Sequence, residues 1–500
     1  MSGKSIICLA FCLLLLFLSM GGAGADSERY TITIANWDAG NWGNDALADY
    51  LRERFNVDFK FIGLSTVDYI EKLNIMATGD TLPDIFMHPG YSGYTGTMLK
   101  WIEEDVIKAL PDDLSPWPSL KKRMDTYSFM KVGGRHYFLP RTTFSNPDNS
   151  YFTPALWVHK DWMTALGIKE FPTTLEGFYD LAYKFTYDDP DGNGKQDTFG
   201  VTPGLGLEWV FSAYGIDLSG FILEDGQYIP GMLSKRCPEA IKFIKRMYDD
   251  GILDKDFATI SLADSENNFA SYRSGVCYLV GEAGPFQYVA LAKLAAVKDD
   301  FNGETDLSVL PPPHADGYAY LCQQNYNFFS GLMFDAGISN AKMERCLDLL
   351  EFLLSEEGIN FGRFGVEGIS YNWVDGERKS LVTNSFIRSL FDVQPTYQIV
   401  RIVSWDTDGA WVNPEVKPEY SALAMRVRDL YGPYMNEWKP EIDFKLTPTK
   451  QIINLGEYFW SSIYKIILNN SDVDAEWAVV RDVMFNNKNG QKLIDEINDR

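Results

Sequence analysis

Histidine is scarce in this chain of 500 residues. His88, His136, His159 and His314 are all there are, and no two stand at the HExxH spacing of a zinc hydrolase. No GxxxxGK[ST] loop is present to cradle a phosphate, and no serine occupies a GxSxG elbow. Positive charge is short as well, with 45 lysines and arginines against 69 acidic residues, a net charge of −24 and a pI near 4.6. That balance speaks against nucleic acid or an anionic membrane surface as a partner, and against strongly anionic ligands unless a local basic patch overrides it. Cysteine is sparse and never spaced as CxxC. Cys237, Cys277, Cys322 and Cys346 lie beyond the first 25 residues; their pairing stays open between disulfides and free buried thiols.

Long apolar runs are missing apart from Ile6 to Met20, which follows Lys4 and precedes Ala23-Gly24-Ala25. This reads as a secretory signal over residues 1–25, cut before Asp26, with a retained anchor as the alternative. The run is shorter than the span of about 20 residues that a bilayer needs. Cys12 follows the bulky Phe11, so no clear lipidation signal is present. The expected location is extracellular or periplasmic.

Residues 26–500 exceed what one hydrophobic core usually holds, so two or more domains are expected. Within them, Asp189-Pro190-Asp191-Gly192-Asn193-Gly194-Lys195-Gln196-Asp197 places oxygens on alternate residues. An EF-hand loop supplies calcium ligands from positions 1, 3, 5, 7 and 9, with glycine at 6. Those places hold Asp189, Asp191, Asn193, the Lys195 carbonyl and Asp197, with Gly194 at the sixth. The bidentate glutamate of the twelfth place is absent, because Gly200 stands there. A structural Ca²⁺ is expected, against the alternative of a solvated Asp/Gly turn.

From Tyr30 the periodicity is regular: a strand to Ala35, a helix from Asp45 to Phe55 with Asn44 as its cap, a strand from Val57 to Ile62, a helix from Val67 to Ala77, and a strand from Asp84 to Met87. Alternation of that kind predicts a parallel sheet covered by helices, with ligands beyond the carboxyl ends of the strands. A strand over Arg135 to Pro140, another from Leu156 to His159 and a helix opened by Pro172-Thr173-Thr174 follow. Val276 to Val280 runs into a glycine loop carrying Glu282, which is either a cleft residue or a surface carboxylate. A connection between halves is expected near Phe328 to Phe334, and three helical patterns close the chain.

Lys160-Asp161-Trp162, Leu166-Gly167-Ile168 and Phe171-Pro172-Thr173-Thr174, followed by the oxygen-rich loop, resemble the extracellular solute-binding proteins of carbohydrate ABC importers. The nearest branch is the large, calcium-bearing one of LplA-like lipoproteins and alginate-binding proteins. Gly79-Asp80 with Leu82-Pro83-Asp84-Ile85, and Leu354-Ser355-Glu356-Glu357-Gly358 with Gly365-Val366-Glu367-Gly368-Ile369-Ser370-Tyr371, resemble the same family in the same order. Thr198 departs from it, standing where relatives often carry an acidic residue. The resemblance implies an α/β, two-lobed periplasmic-binding-protein-like fold of type II with an interlobe ligand cleft. It also implies an oligosaccharide ligand, a membrane ABC permease as partner, and no enzymatic conversion; a monomer is expected. The lobes are expected over 26–140 plus 270–330, and over 141–269 plus 331–500.

A pyranose has an apolar face and a polar edge, so flat aromatic walls with a few oriented polar groups suit it. The candidate wall is Trp37, Tyr91, Trp209, Tyr371, Trp373 and Trp405, and the candidate polar contacts are Asn36, Asp38 and Glu367. Two other functions share this composition. A secreted glycoside hydrolase would need two carboxylates at a defined separation, and no local motif singles out such a pair. A sensor or adhesion protein on the same fold is the third reading.

Overall fold

A computed structural model describes residues 28–37, 43–65, 68–89, 96–144, 154–280, 302–303, 305–321, 328–381, 399, 402–406, 418–434, 455–469 and 471–499. The first strands in chain order are β1 (Tyr30–Trp37), β2 (Val57–Leu64), β3 (Ile85–His88), β4 (Ile107–Lys108) and β5 (Leu139–Phe144). Then come β6 (Pro154–His159), β7 (Phe199–Thr202), β8 (Phe221–Glu224), β9 (Gln227–Pro230), β10 (Ser274–Val280) and β11 (Leu307–Val309). The last are β12 (Phe328–Asp335), β13 (Tyr371–Val374), β14 (Glu377–Ser380) and β15 (Ser404–Asp406).

In β1 the alternation Ile32, Ile34 puts apolar side chains at zero exposure on the core face. Helix Ala46–Phe55 follows, burying Leu47, Ala48 and Leu51 on one side. Its cap is Asp45, whose carboxylate accepts from the amides of Leu47 and Ala48, and not Asn44; Asn56 closes the other end in the left-handed region at φ 49°. β2 then pairs with β1 in parallel, Tyr30 opposite Val57 through Trp37 opposite Leu64. Helix Tyr69–Thr78 leads to β3, parallel to β1 on its other side. Asp84, just before β3, binds the first elements together. Its carboxylate accepts from Thr33 N at 2.7 Å and Thr33 Oγ1 at 2.6 Å, and both its oxygens lie 2.7 Å from Lys342 Nζ.

The finished sheet has the order β15-β5-β12-β3-β1-β2, with β4 also against β12. Phe328 to Phe334 itself lies on β12, a strand in the middle of this sheet, antiparallel to both β3 and β5, and the expected connection comes just before it. Gly331 is required there, because a Cβ would come within 2.4 Å of Phe138 Cζ and 2.5 Å of the Leu139 carbonyl. The strand expected over Arg135 to Pro140 starts later, at Leu139, after a bridge between Val132 and Arg135.

A second sheet has the order β11-β6-β10-β7. Helix Leu175–Tyr187 covers it through Phe178, Leu181, Ala182 and Phe185, and is capped by Thr174, whose Oγ1 accepts from Gly177 N at 3.1 Å. Helix Cys237–Asp249 buries Cys237, Ala240, Ile241, Ile244 and Met247 at the spacing of one helical face. The closing helices Pro418–Tyr431, Leu455–Leu468, Val473–Asp482 and Gly490–Asn498 contribute to the same core.

The hydrophobic side chains fall into two clusters, one drawn from positions 32–139 and 328–403, the other from 155–320 and 423–497. The expected lobe boundaries are thus corrected. The stretch from β10 to β11 belongs to the second half, because β10 pairs with β6 and β7, whereas the stretch from β12 to β15 belongs to the first. The chain passes between the clusters three times: after β5, before β12 and after β15.

Cys237, Cys277 and Cys346 are free and buried, and burial pushes the thiols of all three up. Cys322 lies outside the described residues, as does the segment expected to be a signal. Among the described residues no helix is long and apolar enough to cross a membrane.

Candidate functional site

Strand register places the ligand-facing end of each half. In the first sheet β5 runs out at Phe144, β15 runs parallel to it with Asp406 opposite Phe144, and β12 enters with Phe328 opposite Thr142. β3 ends at the same edge, His88 lying opposite Gly331, and β1 is parallel to β3. All three passages to the second half therefore leave from the edge where β1, β3 and β5 have their carboxyl ends. The second sheet mirrors this. β6 begins at Pro154 directly after the first passage, and Val280 at the end of β10 lies opposite it. β7 is parallel to β10, and β11, antiparallel to β6, ends on the same side. Ligands of open α/β sheets bind outside the carboxyl ends of the strands.

At the first edge a polar group is assembled under an aromatic lid. Asn36 is buried, and its Oδ1 accepts from Trp37 N at 2.8 Å. The half-buried Trp37 ring meets Tyr69 edge-on at 5.2 Å, and the Arg141 guanidinium stands 5.6 Å from the centre of that ring. Tyr69 donates to the Met87 carbonyl at 2.8 Å, and burial pushes its phenol up. Arg141, only 1% exposed, donates from Nη1 to Ser330 Oγ at 3.4 Å. His88 packs edge-on against Trp101, and burial lowers it to about 4, so it is neutral at physiological pH. Arg123 donates from Nη1 to the carbonyls of Pro140 and Val403, both at 3.0 Å, tying β5 to the approach of β15.

At the second edge β7 passes into Pro203-Gly204-Leu205-Gly206 and the helix Glu208–Ala213. Gly204, at φ +61°, has no room for a Cβ, which would come 2.0 Å from the Tyr278 carbonyl at the end of β10. Glu208 Oε2 is sealed from solvent without a hydrogen-bond partner among the described residues, and burial pushes this carboxyl up to about 7. Its neighbour Tyr464 is raised too, by its own burial first and by the charge of Glu208 second.

Of the residues singled out from the sequence, Asn36 and Trp37 sit in this assembly. Trp405 is carried by β15 beside β5 at the same edge. Tyr371 and Trp373 lie on the β13–β14 hairpin, rings edge-on at 6.2 Å, with Trp373 57% exposed. Glu367 bridges to Tyr371 at the base of that hairpin. The turn before it reaches Leu47 at the start of helix Ala46–Phe55, to within 3.8 Å of a Cβ built on Gly365. Trp209 is a correction: it is fully buried, 4.7 Å from Phe178 between ring centres, and is core rather than cleft wall. Asp38, Tyr91 and Glu282 lie outside the described residues. Tyr69, His88, Arg141 and Glu208 were missed; the sequence offered a signal only for His88, an imidazole closing the otherwise apolar strand β3.

The oxygen-rich loop folds on itself at the far end of helix Leu175–Tyr187. Asp189 (φ 50°), Gly192 and Gly194 all take positive φ. The Asp189 carboxylate accepts from Asn193 N at 3.1 Å and Gly194 N at 3.0 Å. The Asn193 amide donates to Asp191 at 2.7 Å and to Asp197 at 3.2 Å. Asp191 is pushed up, first by burial and then by Asp189 and Asp197 close by. Among the described residues no cluster of three or more His, Cys, Asp or Glu side chains is gathered at metal-binding distance. Two puzzles of the sequence are resolved by packing. Thr198 donates to the Phe185 carbonyl at 2.8 Å, fastening the start of β7 to the helix, so its hydroxyl is committed there. Gly200 admits no side chain at all, since a Cβ would lie 2.5 Å from the Ala182 carbonyl.

No protein-family model matches the chain. It is 24% identical over 326 residues to lipoprotein LipO of Bacillus subtilis, covering 63% of this chain and 62% of that protein. It is 27% identical over 206 residues to the fructooligosaccharide ABC transporter substrate-binding protein FusA of Streptococcus pneumoniae, covering 38% of each. The matched stretches thus span less than two thirds of these curated relatives. Solved structures are similar over nearly the whole chain. An extracellular solute-binding protein from Bifidobacterium longum subsp. infantis superposes with a TM-score of 0.71 at 15% identity, covering 95% of this chain and 100% of its own. The alginate-binding protein AlgQ2, in a structure without calcium ion, gives 0.68 at 16% identity, covering 95% and 99%. The fold is that of two-lobed solute-binding proteins.

Proposed function

We propose that this chain, a relative of the substrate-binding proteins of carbohydrate ABC transporters, is the extracellular component that captures an oligosaccharide for such an importer and hands it on chemically unaltered. The observation that carries this reading is the convergence of strand ends. The carboxyl ends of β1, β3 and β5 share their edge with every passage to the second half, and those of β7 and β10 face the same passages. A ligand resting on both edges favours the closed arrangement of the halves by whatever contacts it makes with each, which is hinge closure. Trp37 with Asn36 and the Arg141–Ser330 pair offers a flat ring beside donors, the combination a pyranose needs. The relatives support transport over hydrolysis: FusA is named for fructooligosaccharides, and a neighbouring structure holds it with kestose.

Thermal-shift screening against plant and microbial oligosaccharides, run with a reducing-end assay, tests the reading. A stabilising glycan recovered intact is expected, and new reducing ends would instead indicate a hydrolase. With the matched glycan, Trp37→Ala is expected to weaken binding about tenfold, whereas Trp37→Phe keeps most of the affinity. Unchanged affinity in Trp37→Ala would remove this edge from the site.

The partner on this reading is a membrane ABC permease, the working form a monomer, and the location the outer face of the cell or the periplasm. LipO is by name a lipoprotein, which accords with a protein held at the cell surface.

For the loop, the proposal is a structural Ca²⁺ held by Asp189, Asp191, Asn193, the Lys195 carbonyl and Asp197. Asp191 is pushed up first by burial and then by the neighbouring carboxylates of Asp189 and Asp197, and a cation would offset both. A solved FusA structure is of an EF-hand mutant, which shows that this feature exists in a relative. Chelation is expected to lower the melting temperature by about 5 °C. Asp191→Asn should reduce this chelator effect while raising the melting point of the metal-free protein. An identical melting curve with and without chelator counts against the ion.

A further inference from the structure

Helix Val473–Asp482 lies on the second core and runs into a π-helical turn at Val483–Asn487. Such turns widen a helix by one residue and recur at functional sites. Along this helix opens a cavity of about 450 Å³, lined by Trp477, Arg481, Asp482, Phe485, Asn486 and Lys235. That volume falls within the range of small-molecule sites. Nothing assigned above uses these residues.

The cavity's cation is held in place beforehand. Arg481 donates from Nε to the Leu233 carbonyl at 2.8 Å, and its guanidinium lies 4.5 Å from the centre of the Phe485 ring. Those two contacts fix the plane of the guanidinium and, among the described residues, leave its Nη pair uncommitted. Among the described residues no carboxylate pairs with it. Asp482 is occupied by the Asn486 amide at 2.8 Å, and the Lys235 ammonium sits between both oxygens of Asp225 at 2.8 Å. A second observation is independent of the arginine: Trp477, 3% exposed, lines the cavity, and its Nε1–H has no acceptor among the described residues. A buried donor of that kind is seldom left unmet.

We propose that this cavity is a second ligand site, separate from the strand-end cleft, for a small ring-bearing monocarboxylate. A guanidinium fork presents two parallel N–H groups that match one carboxylate, a fit that an ammonium does not reproduce. The Phe485 ring, backed by the buried Trp477, supplies an apolar wall for the face of the ligand's ring. The local charges of Lys235 and Arg481 against Asp225 and Asp482 nearly cancel, which suits a single negative charge better than a phosphate dianion. Uronic-acid sugars and aromatic acids share this chemistry.

The test uses the secreted-length chain with galacturonate, galactose and benzoate, each followed by saturation-transfer NMR and calorimetry. Saturable binding of galacturonate, benzoate or both is expected, with galactose at least tenfold weaker because it lacks the carboxylate. Response to galacturonate alone assigns a sugar acid, and response to both assigns ring acids generally. Arg481→Gln should weaken the binding at least tenfold. Arg481→Lys, which keeps the charge and loses the fork, should weaken it several-fold with an unchanged circular dichroism spectrum. The proposal is overturned if neither acid binds, if galactose binds as well, or if both Arg481 variants bind like wild type. Binding that Trp37→Ala removes and Arg481→Gln leaves intact would belong to the cleft, and overturns it too.

Discussion

At pH 8 the Glu208→Gln variant should be more stable than the wild type, although the substitution removes a charge from an acidic residue at a candidate site. The Glu208 carboxyl is raised to about 7 from an ordinary value of 4.5, chiefly by burial. A carboxyl raised on folding contributes its full stability below pH 4.5 and loses it as pH rises through about 7, because ionisation is then easier in the unfolded chain. The separation of the two values corresponds to about 3 kcal/mol. Glutamine fills nearly the same volume and stays neutral, so the stability difference between variant and wild type should grow by about 3 kcal/mol from pH 4 to pH 8. Denaturant titrations at several pH values measure it. Parallel pH profiles for the two proteins would show that Oε2 is already paired or hydrated.

The second large effect lies in the first half. Asp84→Ala removes the acceptor for Thr33 N and Thr33 Oγ1 and leaves the Lys342 ammonium without its partner; the two side chains are 13% and 21% exposed. Breaking such a pair from one side costs more than deleting both partners, so about 3 kcal/mol is expected for Asp84→Ala alone. The double variant Asp84→Ala/Lys342→Met should recover part of the loss. Because the two halves have separate hydrophobic clusters, the loss should fall on the unfolding transition that reports Trp101 and Trp117. Equal stability of single and double variants would mean that the ion pair contributes little and that the Thr33 bonds carry the effect.

Asp84 also shows what a family-like motif in a sequence signifies physically. Leu82-Pro83-Asp84-Ile85 marks the point where β3 is tied to β1 and to helix Asn340–Leu354. In the later motif, Ser355 caps helix Glu356–Phe364 by accepting from Gly358 N at 3.1 Å. Gly358 itself passes so near the Phe352 carbonyl that a Cβ would lie 1.8 Å away. These residues hold elements together and need not touch a ligand.

Local pattern carried much of the fold. The alternation of β1 and β2, the face of helix Leu175–Tyr187 and its Thr174 cap follow from neighbours within a few residues. Assignment of the later segments to the halves did not follow, because β10 and β12 are both apolar strands whose partners lie far away in sequence. Nor did the sequence separate Trp37 from Trp209: one ends β1 and the other lies on helix Glu208–Ala213, and only packing against Phe178 places Trp209 inside. Arg141 and His88 escaped notice because a single charged or imidazole side chain in a strand resembles a surface residue until the sheet closes over it. The glycine in place of the twelfth-position glutamate had a cause, the approach of Gly200 to Ala182, that composition does not reveal.

The most direct test of the central claim is small-angle X-ray scattering of the protein with and without its matched oligosaccharide, together with mass analysis of the glycan recovered from the complex. Closure of the two halves over an unconverted sugar predicts a smaller radius of gyration on binding and a glycan of unchanged mass. An unchanged radius at saturation, or a shortened glycan, would contradict it.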